Sequence, residues 1–307
     1  MKSKSERGYL AEFFLACLGY FLFTAQDAIV KFMAEDYGVI QIIFINACFA
    51  FIPIILYTQT LHGWEKLKKA SFTVHFFRTL TMCVGLYFVF TGFYHLPMVT
   101  MYSIVFLIPL FITIGSVLFL GERVRWKRFT AIIAGFMGAI ISINPFTAEL
   151  NEYVFIALLA PVLAAASYLI VRKYGEQESL FSFLIYGKIL MIIFTGVFVI
   201  FSFNQMSFYD LMLNAISGLC RGIAMIFVIN AARHLPGAIF GSILYSQIFA
   251  GVFFGYFIFG EIPTINNYIG NAIIISAGLY IVLREMKLKK NIVTSTARHP
   301  TIPIKRD

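Results

Sequence analysis

Long uninterrupted apolar runs, separated by short polar segments, dominate the chain. Each run is about 20 residues long, the length that a helix needs to cross a bilayer core. The runs do not alternate polar and apolar residues, so they predict membrane-spanning helices and not the strands of an outer-membrane barrel. We count ten spans, at about 9–33, 38–59, 72–95, 97–120, 127–144, 153–171, 180–203, 210–232, 236–259 and 268–284.

Two short marker motifs, one at the start and one at the end of the fourth apolar run, occur again at the start and end of the ninth run. The first motif contains a proline, which fits the first turn of a helix, and the second contains a glycine, which fits a helix C-terminus. The two copies predict an internal duplication of five helices each, over 9–144 and 153–284. The markers, offset by 139 residues, are His95-Leu96-Pro97 with Gly121-Glu122 and His234-Leu235-Pro236 with Gly260-Glu261.

Composition excludes a soluble globular protein. The chain of 307 residues is 60% hydrophobic and 13% charged, whereas charged residues supply about a quarter of an ordinary globular chain. The net charge of +9 does not indicate nucleic acid as a partner, because most of it lies in short loops and the C-terminal tail. Four cysteines fall inside apolar runs without metal spacing, and we interpret them as core residues.

The distribution of Lys and Arg predicts how the chain is oriented. Alternate connections and the two termini hold 20 of the 24 basic residues, and the connections on the other side hold none. Basic loops stay on the cytoplasmic side, so we predict an inner-membrane protein with both termini, 1–8 and 285–307, in the cytoplasm. The basic tail is expected to be disordered, either anchoring the topology or touching anionic lipid head groups.

Five spans in each half place Pro97 on the outer side of the membrane and Pro236 on the inner side. The fold class is therefore an all-α integral membrane protein of two inverted five-helix repeats. Inverted repeats allow a transporter to alternate between two states around a central site.

Four basic side chains remain inside the spans, and ionisable groups there are costly enough to be functional candidates. They are Lys31, Arg78, Lys188 and Arg221. Arg221 lies roughly 15 Å into its span, too deep to reach the interface easily, so it either lines a cavity or has a structural partner. Lys188 and Arg78, roughly 12 and 9 Å deep, either line the cavity or extend to the interface, and Lys31 lies near the outer end.

Asp27 precedes Lys31 by four residues, so the two side chains share a helix face. The pair is interpreted either as a structural salt bridge or as part of a substrate site or gate. Asp27 is also the best candidate for a carboxylate that couples transport to protons. The remaining substrate-binding candidates, for which interhelical hydrogen bonding or simple packing is the alternative, are Asn46, Asn230, Tyr102, Tyr245 and Gln247.

Glycines spaced four residues apart recur in the eighth and ninth spans, where they allow close helix packing. The pairs are Gly218 and Gly222, Gly237 and Gly241, and Gly251 and Gly255. Glu122 and Glu261 follow equivalent helix ends and are interpreted as capping or gate-loop residues. The sequence contains no metal-binding histidine spacing and no nucleophile or phosphate-loop motif, so we expect no catalytic residues, no metal and no cofactor.

Several short motifs resemble the EamA-like branch of the drug/metabolite transporter superfamily over about 9–284. The second half keeps the Gly-Glu pair but has Gln247-Ile248 where the first half has Pro-Leu. The motifs of the first half are Pro109-Leu110-Phe111, Leu120-Gly121-Glu122-Arg123 and Arg128 at the start of a Gly-rich helix. The family implies ten helices around a central cavity and the movement of small metabolites.

A narrower likeness is to bacterial S-adenosylmethionine uptake carriers. It rests on Asp27-Ala28-Ile29-Val30-Lys31, on Arg78 and on Arg125-Trp126-Lys127-Arg128. We therefore expect a secondary transporter for a small polar or zwitterionic metabolite, with S-adenosylmethionine uptake or exchange as the alternative. A passive channel and a membrane-embedded transferase are alternatives of other classes. The expected partners are the substrate and membrane lipids.

Overall fold

The computed structural model describes residues 6–61, 63–67, 71–121, 126–144, 152–174, 178–235, 240 and 243–297. Every regular element within these ranges is helical, as the apolar runs predict, and a short 3-10 helix, Gly63–Leu67, follows the second helix. In chain order the helices are α1 (Glu6–Met33), α2 (Val39–Thr60), α3 (Phe72–His95), α4 (Met98–Val105), α5 (Ile108–Leu120), α6 (Trp126–Ile143), α7 (Tyr153–Ala157), α8 (Leu159–Tyr174), α9 (Leu180–Ser202), α10 (Phe208–His234), α11 (Ser246–Phe259) and α12 (Ile265–Ala297).

Seven helical stretches in the described part of the chain are long and apolar enough to cross a membrane. Two shorter apolar helices, Phe129–Ile143 and Ser246–Phe259, lie within the predicted fifth and ninth spans. The chain is therefore a multi-pass helical membrane protein. The last helix extends to Ala297, which is beyond the predicted end of the tenth span at 284 and inside the tail that was expected to be disordered.

The fourth span is broken near its middle, which the sequence analysis did not predict. Phe106 and Leu107 separate α4 from α5, and Pro109 lies in the first turn of α5, where its missing N–H needs no partner. Leu244 and Tyr245 form the corresponding turn immediately before α11. Tyr245 lies 139 residues after Phe106, so the two breaks occupy equivalent positions in the duplicated pattern.

The two marker glycines end their helices as the sequence predicts. Gly121 follows α5 with a φ of 67°, and Gly260 follows α11 with a φ of 66°. Both values lie in the left-handed region that glycine enters without steric cost. The marker proline Pro97 immediately precedes α4, whereas Pro236 lies outside the described residues.

Helices from the first half pack mainly against helices from the second half. The pairs with the most extensive contacts are α1 with α10, α6 with α12, α2 with α10, and α3 with α8. In addition α2 packs on α9, α3 packs on α9, and α4 packs on α11. The two halves are therefore interleaved, and their polar side chains meet inside the shared interface.

Candidate functional site

A hydrogen-bonded cluster of polar side chains joins α1, α2, α4 and α10 inside the bundle. Asn46 of α2 donates to Gln26 Oε1 of α1 at 3.2 Å and to Ser217 Oγ of α10 at 2.9 Å. Gln26 in turn donates from its Nε2 to the Asp27 carboxylate, and Tyr102 Oη of α4 donates to Asp27 Oδ2 at 2.8 Å. The amide network thus leads to one carboxylate, whose oxygens both accept hydrogen bonds.

Arg221 adds a positive charge to this cluster but is held loosely. Its Nη1 donates to Gln26 Oε1 at 3.4 Å, and its guanidinium carbon lies 5.7 Å from the centre of the Phe90 ring. The side chain is partly exposed. A guanidinium has five N–H donors, and toward the described residues Arg221 makes only this one long hydrogen bond. Arg221 can therefore receive a carboxylate or phosphate.

Close approach of α10 to α2 brings Arg221 and Ser217 into the cluster. A Cβ added to Gly218 would lie 2.6 Å from Asn46 O, and a Cβ added to Gly222 would lie 2.5 Å from Ala50 O. These positions exclude any side chain, so the two glycines have the packing role that their spacing predicts. Gly251 of the ninth span likewise lies against the Tyr102 ring, 2.6 Å from its Cδ2 by the same measure, and Gly237 and Gly241 are outside the described residues.

Two further predicted cations lie on α3 and α9. Lys188 is 6% exposed and lies on α9, which packs against α3. Arg78 donates to Phe183 O at 3.2 Å, and its guanidinium carbon lies 5.0 Å from the centre of the Phe183 ring. Arg78 and Lys188 therefore lie on two helices that pack against each other inside the bundle.

The salt bridge between Asp27 and Lys31, one of the two interpretations of this pair, is not formed, and the alternative role in a substrate site or gate stays a prediction. Lys31 Nζ lies 2.6 Å from Glu261 Oε1 and donates to Leu96 O at 2.7 Å. Glu261 Oε2 also accepts the Met98 backbone N–H at 2.8 Å. Residues four apart share a helix face, but Lys31 lies at the end of α1, where its long side chain reaches the carboxylate that follows α11.

Glu261 has the capping role that its position predicts, although it caps a different helix. Its carboxylate accepts the first N–H of α4, where a negative charge also complements the helix dipole. The contact ties together the end of α1, the start of α4 and the end of α11, and we call this side of the bundle the Glu261 end. Glu122, the equivalent residue of the first half, lies outside the described residues.

Three other predicted site residues do not join the cluster. Tyr245 packs with its ring centre 5.2 Å from that of Phe106, in an apolar core. Asn230 accepts a hydrogen bond from Tyr57 Oη at 2.8 Å, which links α10 to α2. Gln247 is 8% exposed, and the contacts described for α11 give its side chain no hydrogen bond.

Sequence reasoning missed Gln26 and Ser217, which connect the candidate residues to one another. Gln26 is fully buried, and it bonds to three of the cluster members, Asp27, Asn46 and Arg221. Its signal was available, because it is a large polar residue beside Asp27 in an apolar run. Ser217 is small and is commonly tolerated in membrane helices, so no such signal marked it.

Only one of the four cysteines has the buried core position that the sequence predicts. All four are free thiols, and Cys83 is buried while the other three are partly exposed. In the part of the chain that the structure describes, no group of three His, Cys, Asp or Glu side chains is arranged to hold a metal ion.

Comparisons with known proteins place this geometry in context. Residues 10–144 match the EamA-like transporter family. The S-adenosylmethionine uptake transporter of Rickettsia felis is 27% identical over 282 residues, which cover 89% of this chain and 95% of that protein. The riboflavin transporter of Vibrio cholerae is 25% identical over 275 residues, which cover 86% of this chain and 90% of that protein. One solved structure is similar in fold, with a TM-score of 0.65 and 14% identity over 92% of this chain and 99% of that one.

Proposed function

This chain is a membrane transporter with an EamA-like domain over residues 10–144 and not an enzyme, and from that premise we propose that it carries a small zwitterionic metabolite by alternating access. The substrate site in this proposal is the cluster around Asp27 and Arg221. The helices that supply these two residues belong to different halves, so movement between the halves would change both contacts at once.

The observation that carries the proposal is the pairing of one buried carboxylate with one loosely held guanidinium. Asp27 and Arg221 both contact Gln26, so their charges lie within one small polar region. A carboxylate recognises an ammonium or sulfonium group, and a guanidinium recognises a carboxylate by parallel N–H···O bonds. A zwitterion satisfies both, and the surrounding apolar helices strengthen these contacts by excluding water.

The proposal includes two inverted five-helix repeats, which the helix contacts support. If each span corresponds to the span five later, the pair α1 with α10 corresponds to α8 with α3, and the pair α2 with α10 corresponds to α9 with α3. The pair α6 with α12 corresponds to itself. Phe106 and Tyr245, equivalent by the 139-residue offset, also pack against each other. Equivalent elements in contact are expected around a two-fold axis.

S-adenosylmethionine is the specific substrate that the relatives favour. The Rickettsia felis protein named for its uptake matches along nearly the whole of both chains. S-adenosylmethionine carries a carboxylate, an ammonium and a sulfonium, which agrees with the charges of Arg221 and Asp27. Riboflavin, suggested by the name of the Vibrio cholerae relative, has no such zwitterionic group, so we favour S-adenosylmethionine.

Uptake of labelled S-adenosylmethionine into proteoliposomes that contain the full chain tests this function. A carrier gives saturable uptake that rises when unlabelled S-adenosylmethionine is loaded on the opposite side. Uptake that never saturates and is not stimulated from the opposite side would indicate a channel. Competition by riboflavin and by neutral amino acids, measured in the same vesicles, tests the choice of substrate.

The orientation of the two halves is tested by reporters fused after residues 150 and 290. We expect the first reporter outside and the second in the cytoplasm, because five spans lie between the N-terminus and residue 150 and five more lie before residue 290. Reporters found on the same side of the membrane would refute the inverted arrangement.

A further inference from the structure

The basic residues on α3 and α9 are not used by the cluster around Asp27. Lys188 lies inside the bundle with 6% of its surface exposed. Within the described residues its ammonium makes no hydrogen bond and no ion pair. A buried charge without a partner is costly, because the energy of its hydration has been lost and nothing replaces it.

Two neighbouring polar groups lack partners as well. Arg78 uses one guanidinium nitrogen on the Phe183 carbonyl, at 3.2 Å, but its buried Nε has no hydrogen-bond partner. Thr79 Oγ1 is also buried without a partner. Buried donors of this kind are nearly always satisfied in folded proteins, so two of them on a helix that packs against the helix of Lys188 suggest a ligand.

Gly187 brings Arg78 and Thr79 beside Lys188. A Cβ added at Gly187 would lie 3.0 Å from Arg78 Nη1 and 3.8 Å from Thr79 Oγ1. The absence of a side chain therefore allows the guanidinium to lie against the backbone of α9, one residue before Lys188. The arrangement places one positive charge and a hydroxyl against the backbone of α9, at the residue that precedes Lys188.

Glu178 and Asp27 already accept hydrogen bonds from other groups, and neither is paired with Arg78 or Lys188. Glu178, at the start of the seventh span, accepts the Ser71 N–H at 2.6 Å and contacts His75 Nε2 at 3.1 Å. Asp27 accepts hydrogen bonds from Tyr102 and Gln26. Lys188 and Arg78 carry like charges on helices that pack against each other, and an anion bound between them would interact favourably with both.

We propose that Arg78, Thr79 and Lys188 form a second subsite, which binds an anionic group through carboxylate or phosphate oxygens. As part of a transport pathway the subsite rests on the carrier function proposed above. The group is either an acidic part of the transported molecule or a separate small anion. Arg78 supplies a planar pair of N–H donors, Lys188 a compact charge and Thr79 a hydroxyl donor.

Direct binding to the full chain in lipid nanodiscs tests the subsite without requiring transport. Labelled inorganic phosphate and labelled acetate are the two probes, used at low salt. We expect saturable binding of at least one probe, and binding at least about tenfold weaker in Lys188→Gln, since a charged contact is lost. Gly187→Ala keeps every charge but moves the Arg78 guanidinium, and it should weaken binding severalfold.

Two controls separate the subsite from general charge and from misfolding. Lys173→Gln removes an equal charge at an exposed position and should bind as the wild type does. Lys188→Arg restores the charge and should recover binding, with size-exclusion profiles matched for all variants. Undiminished binding by Lys188→Gln, or no binding of either probe by the wild type, overturns the subsite.

Competition with unlabelled S-adenosylmethionine identifies the source of the anionic group. Displacement of the bound probe assigns the subsite to the carboxylate of the transported molecule, and simultaneous binding assigns it to a separate anion. Either result supports the subsite. A chain that binds the probe in the nanodiscs but shows no carrier behaviour in proteoliposomes would refute the proposed function and leave the subsite standing.

Discussion

At the scale of single residues, the chemistry depends on a few polar groups placed in apolar helices. Asp27, Gln26 and Arg221 form a short series in which the central amide contacts both charged groups. Removal of one charge leaves the other buried without its electrostatic partner, and this outcome is costly. Arg221 is partly exposed, so a substrate group can reach its guanidinium directly.

Replacement of Arg221 by Ala tests the anion-binding role at this scale. We expect S-adenosylmethionine uptake to fall by about ten- to a hundredfold, because a hydrogen bond to a charged group contributes about 1.5–3 kcal/mol. Arg221→Lys should recover only part of the activity, since an ammonium cannot form the paired N–H···O bonds. Uptake is measured at equal amounts of reconstituted protein, with the exposed Lys173→Ala as the control. Normal uptake by Arg221→Ala would exclude it from the site.

At the scale of helices, backbone contacts position the cluster. The close packing of α10 on α2 is possible only because residues 218 and 222 lack side chains. A second fixed contact lies where Glu178 joins the starts of α3 and α9. Both contacts join helices of opposite halves, so they hold the two halves together.

Replacement of Gly218 by Ala should separate α10 from α2. The new methyl would lie 2.6 Å from Asn46 O and 2.7 Å from Phe49 Cβ, and overpacking of this kind destabilises by about 1–3 kcal/mol. Thermal unfolding in detergent should therefore occur at a lower temperature than in the wild type. Gly38→Ala is the matched control, since a Cβ there meets nothing within 4 Å. Equal melting of the two variants would contradict the close-packing role.

Replacement of Glu178 by Gln tests the second contact through its pH dependence. Burial raises the pKa of Glu178, but the hydrogen bonds from Ser71 and His75 outweigh it and hold the pKa below its usual range. A carboxylate whose pKa is lower in the folded than in the unfolded protein stabilises the fold at pH values above its unfolded-state pKa. This stabilisation is lost as the pH falls through the folded-state pKa.

The wild type should therefore melt at a higher temperature than Glu178→Gln at neutral pH, and the difference should shrink as the solution is made acidic. Melting curves collected from neutral to acidic pH measure this change. A difference that is constant with pH would show that the ionised carboxylate is not responsible.

At the scale of the whole molecule, an ion pair at the Glu261 end joins three helices. Lys31 and Glu261 lie 2.6 Å apart, and Glu261 also accepts the Met98 N–H. In an alternating-access carrier such a contact must break each time this end opens. Its strength therefore sets part of the balance between the two states.

Exchange of the two charges tests this arrangement. The double substitution Lys31→Glu with Glu261→Lys keeps an ion pair but brings a cation to the N-terminus of α4, where Met98 N–H needs an acceptor. We expect the exchange not to restore transport, whereas Lys31→Arg alone should retain most of it. Uptake in proteoliposomes measures both. Full recovery by the exchanged pair would mean that Glu261 acts only through its charge and not as a helix cap.

The amino-acid sequence by itself determined the class of the protein and the identity of most charged candidates. Runs of apolar residues are a local property, so they identified the membrane helices, and the marker glycines identified two helix ends that the structure confirms. The family resemblance is confirmed by the match over residues 10–144 and by the transporter relatives. Asp27, Arg221 and Lys188 stood out because a charge in lipid is costly wherever it lies.

Only the tertiary structure decided which of these residues meet. Asp27 accepts a hydrogen bond from Tyr102, and Arg221 donates one to Gln26. Lys31 forms an ion pair with Glu261, and Tyr245 packs in an apolar core. The sequence could not predict these pairs, because helices that are apolar on all sides carry little information about which face meets which neighbour. That choice depends on close contacts between helices far apart in the chain, such as Gly218 against Asn46, and spacing within one helix does not reveal them.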